Sequence, residues 1–361
     1  MSCLLSASRR TDVPAFYMDW FMKRLREQYL FVKHPYTGGY FHVSLKPENL
    51  LGIVFWSKDF SPLLSRLDEI EKVTHNLFFH FTITDLPEDI EANTPPFQEV
   101  VKDFIFLAER YSPDCVIWRF DPLCITDKIS FGYHKEAFRQ CMEMLKGHCH
   151  TCYISFVNPY YKVIKNFERY TSHRLLDIPV EEKRSYAKRL AEVAARYGIR
   201  MYACCNDYLL SDESNPPLPL FKNTPLTPLD RGDDRPLNPL LIEGNSPPLE
   251  KGLGSRCCEA LQREVGGFSD KIQKASCINL NNLSRVWGLE GIDYEKPSPT
   301  RKECACTKSI DIGAYDTCPH GCIYCYANTD KEKAVAFHSA FNPDWNALDT
   351  NIDVEEYSTA I

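Results

Sequence analysis

The feature that most constrains the fold is a repeated alternation of short apolar segments with helical segments over the first 210 residues. Each apolar segment ends in polar residues and precedes a stretch with apolar side chains at helical spacing. Parallel strands of one sheet need a crossover connection, usually a helix. Six such units therefore predict an α/β fold, and a TIM-like (β/α) barrel in particular. The predicted strands are Cys3–Ser8, Ile53–Trp56, Leu77–Thr84, Val116–Phe120, Tyr153–Val157 and Arg200–Cys204.

Other segments depart from this alternation. Leu30–Lys33 and Tyr40–Ser44 flank a Gly-Gly pair, which predicts an antiparallel hairpin. Ala275–Asn279 is short and partly apolar, and we expect a further strand there. The segment beyond Asn328 is polar with weak periodicity, which predicts a loop.

The polar residues that follow the predicted strands are candidate site residues. In a barrel of this kind, the loops after the strands form the active face. Arg119 and Asp121 stand beside Trp118, where charged groups without partners would be costly to bury. Each residue can also be read as a solvated loop residue or a helix cap. The predicted catalytic residues are Arg9, Arg10, Asp12, Lys58, Arg119 and Asp121, and equivalent positions hold Asp59, Asp85, Asn158 and Asn206.

A cysteine-rich loop near the end of the sequence predicts a metal centre. Cys318, Cys322 and Cys325 have C-x3-C-x2-C spacing, and Pro319 and Gly321 allow the backbone to turn back between them. Three thiolates on one loop can bind a single metal centre. A zinc knuckle, or cysteines that only happen to be close in sequence, are the alternatives.

This loop resembles the cluster-binding loop of radical S-adenosylmethionine (SAM) enzymes. The aromatic Tyr324 just before the last cysteine fits that resemblance. The resemblance implies a [4Fe–4S] cluster with Cys318, Cys322 and Cys325 as ligands, SAM on the open iron and an external electron donor. It also implies formation of a 5′-deoxyadenosyl radical that acts on an unknown small-molecule or macromolecular substrate. Tyr324, Arg9 and Asn158 are the residues we expect to contact the cofactor.

The position of the loop differs from that family. In radical SAM enzymes it follows the first barrel strand, whereas here it follows Ile310–Tyr315. A barrel is cyclic, so we expect a permuted arrangement in which Ile310–Tyr315 lies beside Cys3–Ser8. The Gly-Gly-Glu-like segment that commonly holds the SAM amino group in that superfamily is not found in the sequence.

A second resemblance covers nearly the whole chain. It is carried by Ser6–Asp12, Val54–Lys58, Trp118–Pro122 and Asp311–Cys318. These motifs resemble the uncharacterised bacterial domain-of-unknown-function family 1848. That family brings no established activity.

The other cysteines divide into core residues and candidates for a second metal site. The chain has 16 cysteines, and those within apolar segments, such as Cys115 and Cys152, are expected to pack as small hydrophobic residues. Cys304 and Cys306 form a C-x-C pair that can bind a second cluster or zinc together with Cys277 or the Cys204/Cys205 pair. The alternative is that these thiols only pack near the mouth of the barrel.

The domain organisation follows from composition. Residues 1–210 are predicted to form the main part of the barrel, and 253–361 to complete it and carry the cysteine loop. Repeated Pro-Leu steps with interleaved charge cannot form regular helix or sheet, so 211–252 is predicted to be a disordered insertion.

Charge and hydropathy limit the location and the partners. The formal net charge of −7 does not support a broad nucleic-acid surface. No apolar run approaches the roughly 20 residues that cross a bilayer, and the first residues lack the features of a signal peptide. We therefore expect a cytoplasmic protein with reduced thiols and no membrane partner.

Two alternatives to an iron–sulfur enzyme come from other functional classes. The first is a non-catalytic barrel that binds DNA or another ligand and is stabilised by structural zinc, which normally needs four protein ligands. The second is a metal-dependent hydrolase on the same barrel, with ligands drawn from Asp12, Asp59, Asp85, Asp121 and His80.

Overall fold

The computed structural model describes residues 3–34, 37–210, 270–292, 295–301 and 303–354. Its main element is an eight-stranded sheet with the strand order β10-β1-β4-β5-β6-β7-β8-β9, and every pairing in it is parallel. The mixed α/β class is confirmed. The strands are β1 Cys3–Ala7, β2 Tyr29–Lys33, β3 Tyr40–Ser44, β4 Leu50–Ser57, β5 Leu77–Thr82, β6 Val116–Leu123, β7 Thr151–Phe156, β8 Arg200–Ala203, β9 Gln273–Lys274 and β10 Ile310–Asp311.

Helices connect the strands as right-handed crossovers require. Several begin with the capping features that the sequence contains: Asp12 caps the first helix, and Ser130 caps the helix after β6. The helices are α1 Val13–Phe16, α2 Met18–Glu27, α3 Ser61–Leu64, α4 Leu67–Glu71, α5 Phe97–Arg110, α6 Phe131–Leu145, α7 Tyr161–Tyr170, α8 Val180–Arg196, α9 Leu280–Val286 and α10 Lys331–Ala340. In the part of the chain that is described, no helix has the length and apolar character that a bilayer crossing requires.

The alternation of side chains along the strands produces two buried layers. Phe55 and Phe79 pack in the larger layer with the helices, whereas Val54 and Phe78 belong to a second layer on the opposite face of the sheet. The second layer also contains several of the cysteines. This face therefore carries the cysteines considered for a second metal site.

The predicted neighbour relation between the two ends of the chain is confirmed. β10 pairs in parallel with β1, with Leu5 opposite Ile310 and Ser6 opposite Asp311. The loop after β10 then passes so close to β1 that a Cβ atom on Gly313 would lie 2.0 Å from Ser8 Oγ. Among the described strands, no pairing joins β9 to β10. Closure of the sheet into a barrel therefore stays a prediction.

Two local predictions need correction, and one is confirmed. The antiparallel hairpin is present as β2 and β3. The strand expected at Ala275–Asn279 lies just before it, at β9. The segment beyond Asn328 contains α10 rather than only loop, because Asp330 accepts a hydrogen bond from the Lys333 backbone and begins a helix despite its weak apolar pattern. The predicted insertion at 211–252 lies outside the described residues.

Candidate functional site

Asp311 holds together the loops that follow β1 and β10. Its carboxylate accepts hydrogen bonds from Ser8 Oγ (2.6 Å) and the Arg9 backbone N–H (2.8 Å), and it pairs with Arg10 Nε at 3.1 Å. Burial opposes ionisation of Asp311, but the charges of Arg10 and Arg9 outweigh it and lower the pKa of this carboxyl. Arg9 and Arg10, predicted as catalytic, are therefore tied to a carboxylate of the chain itself.

Asp12 occupies a second junction, between the β1 loop, the end of β4 and the cysteine loop. It accepts hydrogen bonds from Ser57 Oγ (2.7 Å) and the Lys58 backbone N–H (2.9 Å), and it caps α1. It also accepts a hydrogen bond from His320 Nε2, at 2.7 Å. These contacts make Asp12 a positioning residue for the loop.

His320 is buried inside the cysteine loop, and both of its ring nitrogens are engaged. Nδ1 lies 2.8 Å from the backbone oxygen of Asn93, and Nε2 contacts Asp12. Both ring nitrogens are therefore occupied by partners within the chain, and neither remains to bind a metal. Asn93 fixes the loop further, since its side chain donates to the Pro319 oxygen at 2.7 Å.

A buried ion pair supports the loop from the other side. Lys58 Nζ lies 2.8 Å from Glu91 Oε1, and both Thr84 Oγ1 and the Tyr324 hydroxyl donate to the same carboxylate. Burial lowers the pKa of Lys58, but the charges of Glu91 and Cys322 raise it by more, so the pKa is raised overall. Tyr324 therefore contacts Glu91, and its predicted contact with a cofactor stays a prediction.

The three cysteines of the loop are near enough to affect one another electrostatically. Burial is the main cause that raises the pKa of Cys318, and the charges of Asp12, Cys325 and Cys322 raise it further. Burial raises the pKa of Cys322 to about 12, although Lys58 and Lys331 act in the opposite direction. Cys325 Sγ accepts a hydrogen bond from the Ala327 backbone at 3.3 Å. Within the described ranges, no group of three or more His, Cys, Asp or Glu side chains has the arrangement of a preformed metal site.

Arg119 and Asp121 lie on the second buried layer, at the end of β6. Arg119 pairs with Asp121, which also accepts a hydrogen bond from Ser155. The Arg119 guanidinium lies 5.2 Å from the ring centroid of Trp56 and 3.3 Å from Cys277 Sγ. Arg119 is buried and Asp121 is partly buried, and each charge has a partner.

Five of the remaining cysteines form a closed set of contacts, which we call the five-cysteine ring: Cys204, Cys205, Cys277, Cys304 and Cys306. The sulfurs of Cys204 and Cys277 are 3.4 Å apart. Hydrogen bonds with Cys204 and Cys304 raise the pKa of Cys205. Cys306 N–H donates to Cys304 Sγ at 3.5 Å, and the thiols of Cys277 and Cys304 both act on the pKa of Cys306, which is raised to about 11. The structure therefore brings together all the cysteines considered for a second site.

Arg9 lies between the cysteine loop and the five-cysteine ring. Its backbone oxygen accepts a hydrogen bond from Tyr326, the residue after Cys325. Burial lowers the pKa of Arg9, but the charges of Asp311, Cys306 and Cys277 outweigh it and raise the pKa overall. Arg9 therefore contacts the residue after Cys325 through its backbone, and its charge acts on the five-cysteine ring.

The other predicted loop residues are not part of this arrangement. Asp59 accepts hydrogen bonds from Ser61 at the start of α3, and Asn206 is buried with its side chain bonded to backbone groups. Asn158 is partly exposed. Asp85 lines a cavity of about 350 Å³ that also contains Glu91.

The hydrolase alternative finds no support in these positions. His80 is buried, stacked on Trp56, and its Nε2 lies 2.6 Å from the Cys277 backbone oxygen. Burial and the charge of Arg119 hold its pKa well below the usual range. Asp12 and Asp121, two of the four carboxylates proposed with it, are each bound to other partners.

Sequence reasoning missed Glu91, Asn93, Asp311 and Lys331 as parts of the site. Asp311 lies in a segment whose resemblance was noted, so a signal for it existed. Glu91 and Asn93 lie in an irregular stretch after β5, and nothing in the local sequence separates them from solvated loop residues. Their contacts with the cysteine loop arise only from the tertiary fold.

Comparisons with known proteins give a single family. The sequence model of a family described as Domain of unknown function (DUF1848) matches residues 4–216 and 253–327. No curated protein and no solved structure matches the chain. The family match skips 217–252, which falls within the predicted insertion.

Proposed function

The chain belongs to the family described as Domain of unknown function (DUF1848), and we propose that it is an iron–sulfur enzyme of radical SAM type on a permuted (β/α) barrel. In this proposal Cys318, Cys322 and Cys325 hold a [4Fe–4S] cluster. The observation that carries it is that three cysteines near enough to affect one another electrostatically lie on one partly buried loop, whose histidine is already committed to other partners. Three protein ligands leave one iron for a small molecule.

The surroundings of the loop suit a negatively charged cluster. Two buried lysines, Lys58 and Lys331, lie near Cys322 and counter the effect of burial on its pKa. The backbone N–H of Ala327 donates a hydrogen bond to Cys325 Sγ. In other proteins, hydrogen bonds of this kind to the ligand sulfurs tune the reduction potential of the cluster. When bound, such a cluster supplies the electron that cleaves SAM to a 5′-deoxyadenosyl radical.

The residues of the chain would position the loop and exclude water. His320, Asp12 and Asn93 fix one side of the loop, and Lys58, Glu91 and Tyr324 fix the other. Arg119, Trp56 and Tyr153 form an aromatic and cationic wall on the second buried layer. We place the substrate against this wall, in contact with Arg119 and Asp121, and SAM near Arg9 and Asn158.

Structural zinc is the weaker assignment for this loop. A closed zinc site needs a fourth protein ligand, and His320, the nearest candidate in sequence, uses both ring nitrogens elsewhere. A location in the cytoplasm and an external electron donor are part of the proposal, because such a cluster must be reduced and its thiols kept from oxidation.

The test is anaerobic purification followed by iron and sulfide analysis of two variants. The wild type should contain about four iron and four sulfide per chain bound by the cysteine loop. Replacing Cys318, Cys322 and Cys325 with Ala should remove them. The matched control replaces Cys115, Cys141 and Cys149, which are buried elsewhere, and should retain its iron. Equal iron in both variants, or none in the reconstituted wild type, would refute the assignment.

A further inference from the structure

The five-cysteine ring joins parts of the fold that meet at the two edges of the sheet. Cys204 and Cys205 directly follow β8, and Cys277 follows β9 at one edge. Cys304 and Cys306 precede β10 at the other edge. β9 and β10 each contain only two residues. The ring therefore stands where the sheet has its shortest strands.

Backbone and side-chain contacts bring these segments together around the ring. Thr307 N–H donates to the Ile278 oxygen at 2.8 Å, and Ser276 Oγ donates to the Ala305 oxygen at 2.7 Å. Glu303 accepts a hydrogen bond from the Asp207 backbone N–H at 3.1 Å. The segments after β8, after β9 and before β10 are thus in direct contact.

The donors around the ring point at sulfur atoms. The Ile278 backbone N–H donates to Cys306 Sγ at 3.4 Å, and the Cys306 N–H donates to Cys304 Sγ at 3.5 Å. Arg119 Nη1 donates to Cys277 Sγ at 3.3 Å. Donors of this kind stabilise thiolates rather than neutral thiols. Ordinary packing of apolar cysteines does not require them.

We propose that this ring is a second metal centre, a four-thiolate zinc site that clips the two edges of the sheet together. Its ligands are Cys277, Cys304, Cys306 and one member of the adjacent Cys204/Cys205 pair. The proposal does not depend on the iron–sulfur assignment of the cysteine loop.

The spacing of the sulfurs favours a single ion over a cluster. Zinc–sulfur bonds of about 2.3 Å in a tetrahedron place the ligand sulfurs about 3.8 Å apart. The sulfurs of Cys204 and Cys277 are 3.4 Å apart, which is close to that separation. Because the described side chains do not form a preformed metal site, binding of the ion would require rotation of the ligand cysteines. An iron–sulfur cluster would separate its ligands much further.

The charge of the neighbouring residues fits four thiolates. One zinc ion with four thiolates carries two negative charges, and Arg119 and Arg9 both interact with ring sulfurs. These cations offset the excess charge in a buried setting, where an unbalanced anion would be costly. A closed four-ligand site is structural in proteins, because no position remains for a reactant.

The first measurement uses the full-length chain and the Cys318/Cys322/Cys325→Ala variant, which removes the proposed cluster ligands. Both should contain about one zinc per chain, and X-ray absorption at the zinc edge should show about four sulfur neighbours at about 2.3 Å. Zinc with nitrogen or oxygen neighbours, or zinc lost from this variant, would overturn the proposal. Zinc retained while the wild type binds no iron would refute the proposed function and leave this site standing.

The second measurement uses Cys304→Ala/Cys306→Ala, with Cys141→Ala/Cys149→Ala as the matched control. The first variant should lose its zinc, and the control, whose cysteines are buried outside the ring, should keep it. Zinc retained by both would overturn the assignment. Should the first variant fail to fold, the absorption spectrum of the full-length chain still decides.

Discussion

Replacing His320 with Ala tests the claim that this residue positions the cysteine loop and is not a metal ligand. The substitution removes a hydrogen bond to the Asp12 carboxylate and one to the Asn93 carbonyl. A hydrogen bond to a charged group contributes about 1.5–3 kcal/mol, and one to a neutral group about 0.5–1.5 kcal/mol. Asp12 keeps its bonds from Ser57 and Lys58, so we expect a loss of about 2–4 kcal/mol.

The assay is urea unfolding followed by circular dichroism, on chelator-treated and on metal-loaded protein. A positioning role predicts the same loss in both states, because the bonds to Asp12 and Asn93 need no metal. His75→Ala, at an exposed histidine, should change the free energy of unfolding by less than about 0.5 kcal/mol. A loss confined to the metal-loaded protein would show that His320 is a ligand, and the reasoning would fail.

Three further substitutions probe other contacts by urea unfolding. Lys58→Met leaves Glu91 buried without its cation and should lower the free energy of unfolding by about 3–5 kcal/mol. Adding Glu91→Gln should restore part of this stability, and no recovery would contradict the ion-pair account. Gly313→Ala places a Cβ atom 2.0 Å from Ser8 Oγ and should lower the free energy of unfolding by about 1–3 kcal/mol. Gly39→Ala, whose Cβ would meet nothing nearer than 3.8 Å, should not lower it in this way. Burial raises the pKa of Asp103 to about 6, with a further rise from the charges of Asp59 and Glu99. The folded state therefore binds this proton more tightly, and its stability falls as pH rises from about 4 to 6. Asp103→Asn should lack that fall and be more stable at pH 7 by about 1 kcal/mol, a value reduced because the side chain is partly exposed; an unchanged pH profile would refute this.

Much of the fold was predictable because the strands carry their own signal. Phe55 and Phe79 alternate with residues of the opposite layer, and polar residues mark the strand ends. The position of β10 beside β1 followed from the cyclic order of a barrel. α10 was missed because its apolar pattern is weak and its start depends on the capping residue Asp330.

The site was predictable only in part, for a physical reason. Spacing identified Cys318, Cys322 and Cys325, since these residues are local in sequence. Glu91 reaches Tyr324 across 233 positions, and no local pattern encodes such a contact. The contacts of Arg9 and Asp12 were not predicted for the same reason, because their partners Asp311 and His320 lie more than 300 residues away.

The most direct test of the central claim is the formation of 5′-deoxyadenosine after anaerobic reduction of the reconstituted protein with SAM. The account predicts that the wild type forms this product and that the Cys318/Cys322/Cys325→Ala variant does not. Iron-loaded wild-type protein that leaves SAM intact, or a variant that cleaves it as fast as the wild type, would contradict the account.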